Sequence, residues 1–262
     1  MESKIILCAL LAHIVGDYYF QTSKIAEEKC KNHKVLFLHA AIYCVPFLAL
    51  YLFSNKDVML FIFVLSLCFS HFIIDFFKVW IYNTKLWTKY QSSYSNGEVV
   101  IYLVDQFLHI SLILGFSMCF LNAGLTLYPM KLFENIAINM GISIEHTIKW
   151  ILLILLIYKP ANITFSKLFK LYKPSADISH ETSKEKSTIK AGAMIGFLEK
   201  VLLVIFFSIE QYSSIGLIMT AKSIARYEKL SKDENFAEYY LIGTLSSMIM
   251  AITSYYLVFK IL

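Results

Sequence analysis

Three pairs of histidine and aspartate recur at a spacing of four residues: His13 with Asp17, His71 with Asp75, and Asp105 with His109. Four residues of α-helix advance about 6 Å along the axis and return to the same face, so each pair presents an imidazole and a carboxylate together. Such a pair can ligate a divalent cation, relay a proton or close an internal hydrogen-bond network. A fourth histidine, His39, lies between the first two pairs in the chain. The chemistry depends on whether these groups meet, and that depends on the elements that carry them.

Those elements are apolar. Of 262 residues, 58% are hydrophobic and 16% charged, against about 25% charged in an average soluble domain, and the mean hydropathy is +0.61. Apolar runs occupy residues 4–22, 35–53, 58–82, 98–122, 147–172, 191–209, 212–229 and 237–261, each approaching the length that a bilayer core demands of a helix. The expected fold is therefore all-α, a polytopic transmembrane helical bundle of about eight spans. Seven is the alternative count, because KWILLILLIY is short and the following Lys159-Pro160 is expected to kink or restart the helix. The first run lacks an A-x-A-like exit and contains His13 and Asp17, so it reads as a retained helix and not a signal peptide. The five cysteines form no C-x-x-C pair, which argues against a zinc ribbon or a disulfide framework. Walker, G-x-S-x-G and H-E-x-x-H motifs are missing from the sequence.

Lysines set the expected topology. They crowd the connections after the first span (Lys24, Lys29, Lys31, Lys34), the third (Lys85, Lys89), the fifth (Lys173, Lys184, Lys186, Lys190) and the seventh (Lys229, Lys232). The positive-inside bias places these connections in the cytoplasm and both termini outside. The net charge of +5 is thus read as topology, with no nucleic-acid partner expected. The organisation is a four-helix half at 1–122 and a C-terminal half at 123–262 with a cytoplasmic basic loop at 173–190, the two forming one integrated domain.

This orientation brings the polar groups to a common depth. Spans one and three run toward the cytoplasm and read H-x-x-x-D, whereas span four runs away from it and reads D-x-x-x-H. Each aspartate is then nearer the cytoplasm, roughly one and a half to two turns deep, with the paired histidines roughly three turns deep and His39 a little over one. His13, Asp17, His39, His71, Asp75, Asp105 and His109 form one layer of candidate metal ligands, in which Asp17, Asp75 or Asp105 could serve instead as a catalytic base. An unpaired aspartate in lipid costs about 2.5–3.5 kcal/mol on the insertion scale, and a divalent cation supplies the counter-charge. Mixed imidazole and carboxylate donors suit zinc, manganese or iron, and seven donors exceed what one tetrahedral ion needs, so of one or two ions the expectation favours two. A structural His–Asp network and a proton or ion pathway are the competing readings. Gln21, one turn beyond Asp17, and Gln106, beside Asp105, are candidates to orient the ligands. Gly16 allows a close helix approach there.

The C-terminal half carries another kind of polarity. Glu199 and Lys200 lie inside span six, and Lys222 and Arg226 lie one turn apart on span seven. Lys222 and Arg226 can neutralise Glu199 and Glu238, or Lys222, Arg226 and Glu199 can shape a pocket for a phosphate or an anionic lipid.

The run of motifs AHIVGDYYFQ, LHAAIY, SHFIIDFFK, VDQFLH, KPAN, IGFLEK, TAKSIAR and AEYYLIGTLSS resembles a bacterial multi-pass membrane family known as a domain of unknown function, DUF3307. The front half is also distantly similar to membrane-bound metal-dependent hydrolases, which place His and Asp in their helices. The resemblance implies a helical protein of the bacterial inner membrane. It implies no particular reaction, and the residues themselves leave three functions as expectations. The first is a metal-dependent hydrolase near the cytoplasmic leaflet acting on an amphiphilic, phosphate-containing, lipid-like substrate. The second is a divalent metal or proton transporter or channel. The third is a non-catalytic membrane partner that docks a soluble protein through the loop at 173–190.

Overall fold

The computed structural model describes residues 2–84, 97–170 and 183–262. Among the described residues the regular structure is helical, apart from an isolated bridge between Ser54 and Pro129. In chain order the helices are α1 (Glu2–Ile14), continued by a π-turn over Val15–Tyr19, then α2 (Ser23–Glu28), α3 (His33–Leu52), α4 (Val58–Tyr82), α5 (Gly97–Asn122), α6 (Lys131–Asn139), α7 (Ile144–Leu168), α8 (Ser183–Ser208), α9 (Tyr212–Ala225), α10 (Tyr227–Lys232) and α11 (Glu234–Tyr256), the last followed by a second π-turn, Leu257–Ile261.

Helices overlap every predicted apolar segment, the run at 212–229 being divided between α9 and α10, and among the described residues five helices, against the eight spans expected, are long and apolar enough to cross a membrane: α3, α4, α5, α7 and α11 with its π-turn. Helix starts obey local chemistry. Asn32 accepts a hydrogen bond from the Lys34 amide at the head of α3, Asp57 from Met59 at α4, and Asp233 from Phe236 at α11. These caps satisfy amides that have no partner within the helix. Two expectations need correction. The helix does not restart at Pro160, since α7 continues through it from Ile144 to Leu168, and a proline in an apolar helix forfeits one ladder bond that its neighbours can offset. The stretch at 173–190 is not wholly a loop, because α8 begins at Ser183. The connections carrying Lys85, Lys89 and Lys173 lie outside the described residues.

The chain divides into two compact units, Met1–Leu152 with Leu262, and Leu153–Ile261. In the first, α4 packs against both α3 and α5, and α1 packs against the same two helices. Ile5, Ala9, Phe47, Leu60, Phe63, Val64, Leu67 and Ile113 fill the space between them. The buried stripes have helical period: Leu36, His39, Tyr43 and Phe47 on α3, Leu60, Val64, Leu67, His71, Asp75 and Val79 on α4, and Asp105, His109, Ile113 and Ser117 on α5. The polar residues thus continue the apolar stripes, which is how an inward-facing layer arises. The opposite faces expose Phe69, Phe77, Trp80 and Phe107, as a lipid-facing surface would. In the second unit α8 packs against α9 and α11.

Candidate metal centre

All seven predicted ligands are buried in the first unit, and four donor atoms converge. His39 Nε2 lies 3.4 Å from Asp17 Oδ1, 3.1 Å from Asp75 Oδ2 and 3.3 Å from His71 Nε2. His71 Nε2 lies 3.6 Å from Asp75 Oδ2. Donors bound tetrahedrally at 2.0–2.1 Å stand about 3.3–3.4 Å apart, so these separations match the edges of a coordination shell. Two overlapping triads, Asp17–His39–His71 and His71–Asp75–His109, each have ligand atoms within 4.8 Å of one another. Because they share His71, they compete for one imidazole, and this arrangement suits one ion better than two.

The local backbone explains one departure from the sequence pattern. His13 and Asp17 are separated by four residues, yet the π-turn begins at Val15, with Phe20 N–H bonded to Val15 O at 2.9 Å. A π-turn accommodates an extra residue in the turn and so re-aims the side chains beyond it. Asp17 therefore joins His39, whereas His13 stacks on the His109 ring with centroids 5.5 Å apart and is hydrogen-bonded through Nδ1 to the Tyr43 hydroxyl at 3.1 Å. Gly16 permits the approach of this turn to α3: a Cβ there would lie 2.8 Å from Tyr43 Cδ2 and 3.2 Å from Tyr43 O. The Tyr43 ring in turn stacks flat on His71, with centroids 3.5 Å apart and planes at 5°. Tyr43 thus fixes the orientation of two histidines.

Two lysines complete the electrostatics. Lys29, itself buried, donates to Asp75 Oδ2 at 2.7 Å, and Lys78 donates to Asp105 Oδ2 at 2.7 Å. Lys78 also lies 3.9 Å from Asp75 Oδ1. The three carboxylates and two ammonium groups sum to a formal charge of −1 with neutral imidazoles, so Asp17 is the carboxylate that remains without a lysine. Gln106 bridges the rest, donating to Asp17 Oδ2 and Asp105 Oδ2 at 3.2 Å each while its Oε1 accepts from Tyr18 Oη at 2.8 Å. Gln21 makes no such bridge, and its Oε1 is buried without a partner.

Whether these residues fit a metal can be tested on their unused atoms. His13 Nε2, His71 Nδ1, His109 Nε2 and Asp105 Oδ1 are buried and have no hydrogen-bond partner. Buried polar atoms are ordinarily satisfied, and a cluster of exceptions asks for an explanation. A network serving structure alone would be expected to use these lone pairs and protons. Donor type and spacing at His39 Nε2, His71 Nε2, Asp17 and Asp75 fit one divalent cation, and the unused atoms are further donors of the same layer, not members of that converging set.

The predicted residues of the C-terminal half gather in the second unit. Lys222 pairs with Glu199 at 2.6 Å, as the neutralising reading anticipates. Arg226 does not pair with Glu199 or Glu238; its guanidinium lies over the Tyr240 ring, 5.9 Å from the centroid.

Residues 5–134 match the family described as "protein of unknown function (DUF3307)", a stretch that contains all seven residues of the His/Asp layer together with Lys29, Tyr43 and Lys78. No curated protein and no solved structure matches the chain.

Proposed function

We propose that the His/Asp layer binds a single divalent cation within the membrane and that the protein is a metal-dependent hydrolase of amphiphilic phosphate esters, working from the cytoplasmic side. The observation that carries this reading is the convergence of Asp17, His39, His71 and Asp75 donor atoms at 3.1–3.6 Å beside buried imidazole nitrogens with no other partner. Mixed nitrogen and oxygen donors favour zinc, manganese or iron.

When bound, the ion would polarise a phosphoryl oxygen and acidify a water molecule. The chain supplies the remainder. Asp105 is held at Oδ2 by Lys78 and Gln106, which leaves the unpartnered Oδ1 to take a proton from the attacking water and to return it to the departing alkoxide oxygen as the P–O ester bond breaks. Lys29 and Lys78 add positive charge next to the carboxylates, where a phosphoryl group would gain it as charge develops. Tyr43 holds the His71 ring by stacking and His13 by its hydroxyl.

Transport is disfavoured by the residues beyond the histidines. There Phe47, Leu60, Phe63, Val64, Leu67 and Ile113 close the bundle, and a hydrated ion would find few polar partners along that route. The test uses the full chain in liposomes. Phosphate release from an amphiphilic phosphate ester such as dodecyl phosphate should require added zinc or manganese and fall by about 10²-fold or more in Asp105→Asn. Saturable zinc or manganese flux across the vesicle wall without phosphate release would overturn the reading.

A further inference from the structure

The second unit holds a cavity of about 570 Å³, within the range of small-molecule sites, and its chemistry is opposite to that of the His/Asp layer. Its charged lining comprises Glu199, Lys200, Lys222 and Arg226, three cations against one carboxylate, which leaves a formal surplus of two positive charges. Glu199 is consumed by Lys222 at 2.6 Å. Lys200, only 3% exposed, donates to two neutral oxygens, Ile157 O and Asn162 Oδ1. Arg226 meets no carboxylate among the described residues and rests on the face of Tyr240, which orients a guanidinium while leaving its donors available. A buried cation with only neutral acceptors, beside an arginine with none, is an electrostatic arrangement that calls for an anion.

Two further atoms point the same way. Thr244, 8% exposed, lines the cavity and its Oγ1 has no hydrogen-bond partner; Tyr240 Oη is likewise buried and unpartnered. Both hydroxyls can donate to an oxygen-rich ligand. The rest of the wall includes Phe165, Phe236, Tyr239 and Met250, which suit an apolar chain and would gain nothing from a small hydrated ion.

We infer that this cavity is a binding site for a phosphate monoester carrying an apolar chain, with Arg226, Lys200, Thr244 and Tyr240 as the headgroup contacts. The doubly charged headgroup balances the surplus, Arg226 can grip two of its oxygens as a fork, and the aromatic wall takes the chain. The site lies in the second unit alone and its ligand binding is independent of any metal in the first.

The test measures the melting temperature of the full chain in dodecylmaltoside with increasing dodecyl phosphate or inorganic phosphate, since a ligand bound only to the folded state raises it by mass action. Dodecyl phosphate should stabilise the wild type, and the concentration required should rise about tenfold in Arg226→Gln. Thr244→Val should show a smaller shift in the same direction. Gly196 also lines the cavity, and a Cβ built on it meets nothing within 4 Å, so Gly196→Met places a side chain in open space and should block binding while the fold persists. Tighter binding of dodecyl phosphate than of inorganic phosphate assigns the site to an amphiphile; equal binding of the two, lost in the same variants, assigns it to free phosphate. No stabilisation of the wild type by either ligand, or equal stabilisation of wild type, Arg226→Gln and Gly196→Met, overturns the inference.

Discussion

The two polar clusters use overlapping residue types to opposite ends. In the first unit three carboxylates meet two lysines, and four histidines fill the space between, so the formal charge is −1 and the free capacity consists of imidazole nitrogens and a carboxylate oxygen. In the second, one carboxylate meets two lysines and an arginine, and the free capacity consists of donors. Burial sharpens the difference. The side chains of Lys29 and Asp75 are 5% and 2% exposed, whereas those of Lys222 and Glu199 are 18% and 12% exposed. A buried layer with spare lone pairs selects a cation, and a roomier cavity with spare donors selects an anion. In the two proposed sites the ligand class thus follows the sign of the charge left over after internal pairing and not the number of charges present.

That comparison can be attacked at several strengths. The largest effect is expected from Lys29→Met, which leaves Asp75 buried against its histidines without its closest ammonium partner; removing one member of a buried pair costs about 3–5 kcal/mol, seen as a large fall in the detergent melting temperature. A loss below about 1 kcal/mol would mean that the layer is more hydrated than its burial implies. Next is Gly16→Ala. The added methyl must displace Tyr43, whose backbone oxygen lies 3.2 Å from the new Cβ, and overpacking of this kind costs about 1–3 kcal/mol. Tyr43→Phe should be milder, about 1 kcal/mol for the bond to His13, because the stack on His71 survives. At the lower limit, Glu228→Gln breaks a pair with Lys232 whose side chains are 85% and 71% exposed, and stability should stay within about 0.5 kcal/mol. A loss in Glu228→Gln as large as that in Lys29→Met would break the claim that the Lys29–Asp75 pair is the more deeply buried.

Much of the architecture was legible in the sequence because long apolar runs and long helices coincide. The runs expected at 35–53, 58–82 and 98–122 are the helices His33–Leu52, Val58–Tyr82 and Gly97–Asn122. The layer was legible because His71 and Asp75 repeat at the same spacing as Leu60, Val64 and Leu67 on α4. Lys29 was not, since its place among loop lysines reads as a topology marker and nothing local shows that its long side chain folds back to Asp75. Lys78 and Tyr43 did leave a signal: each continues the helical period, three residues after Asp75 and four after His39. The π-turn that parts Asp17 from His13 has no sequence signature beyond Gly16, and the turn from Arg226 to Tyr240 depends on tertiary contact.

The most direct test of the central claim is the metal content of the full chain, purified without chelators and analysed element by element beside His71→Ala and His146→Ala. His71 belongs to both triads, whereas His146 is an exposed residue bonded to Trp150. The account predicts about one divalent ion per chain in wild type and His146→Ala, as a single shared site requires, and its loss in His71→Ala. Equal metal in His71→Ala and wild type, or no metal in wild type, would contradict it.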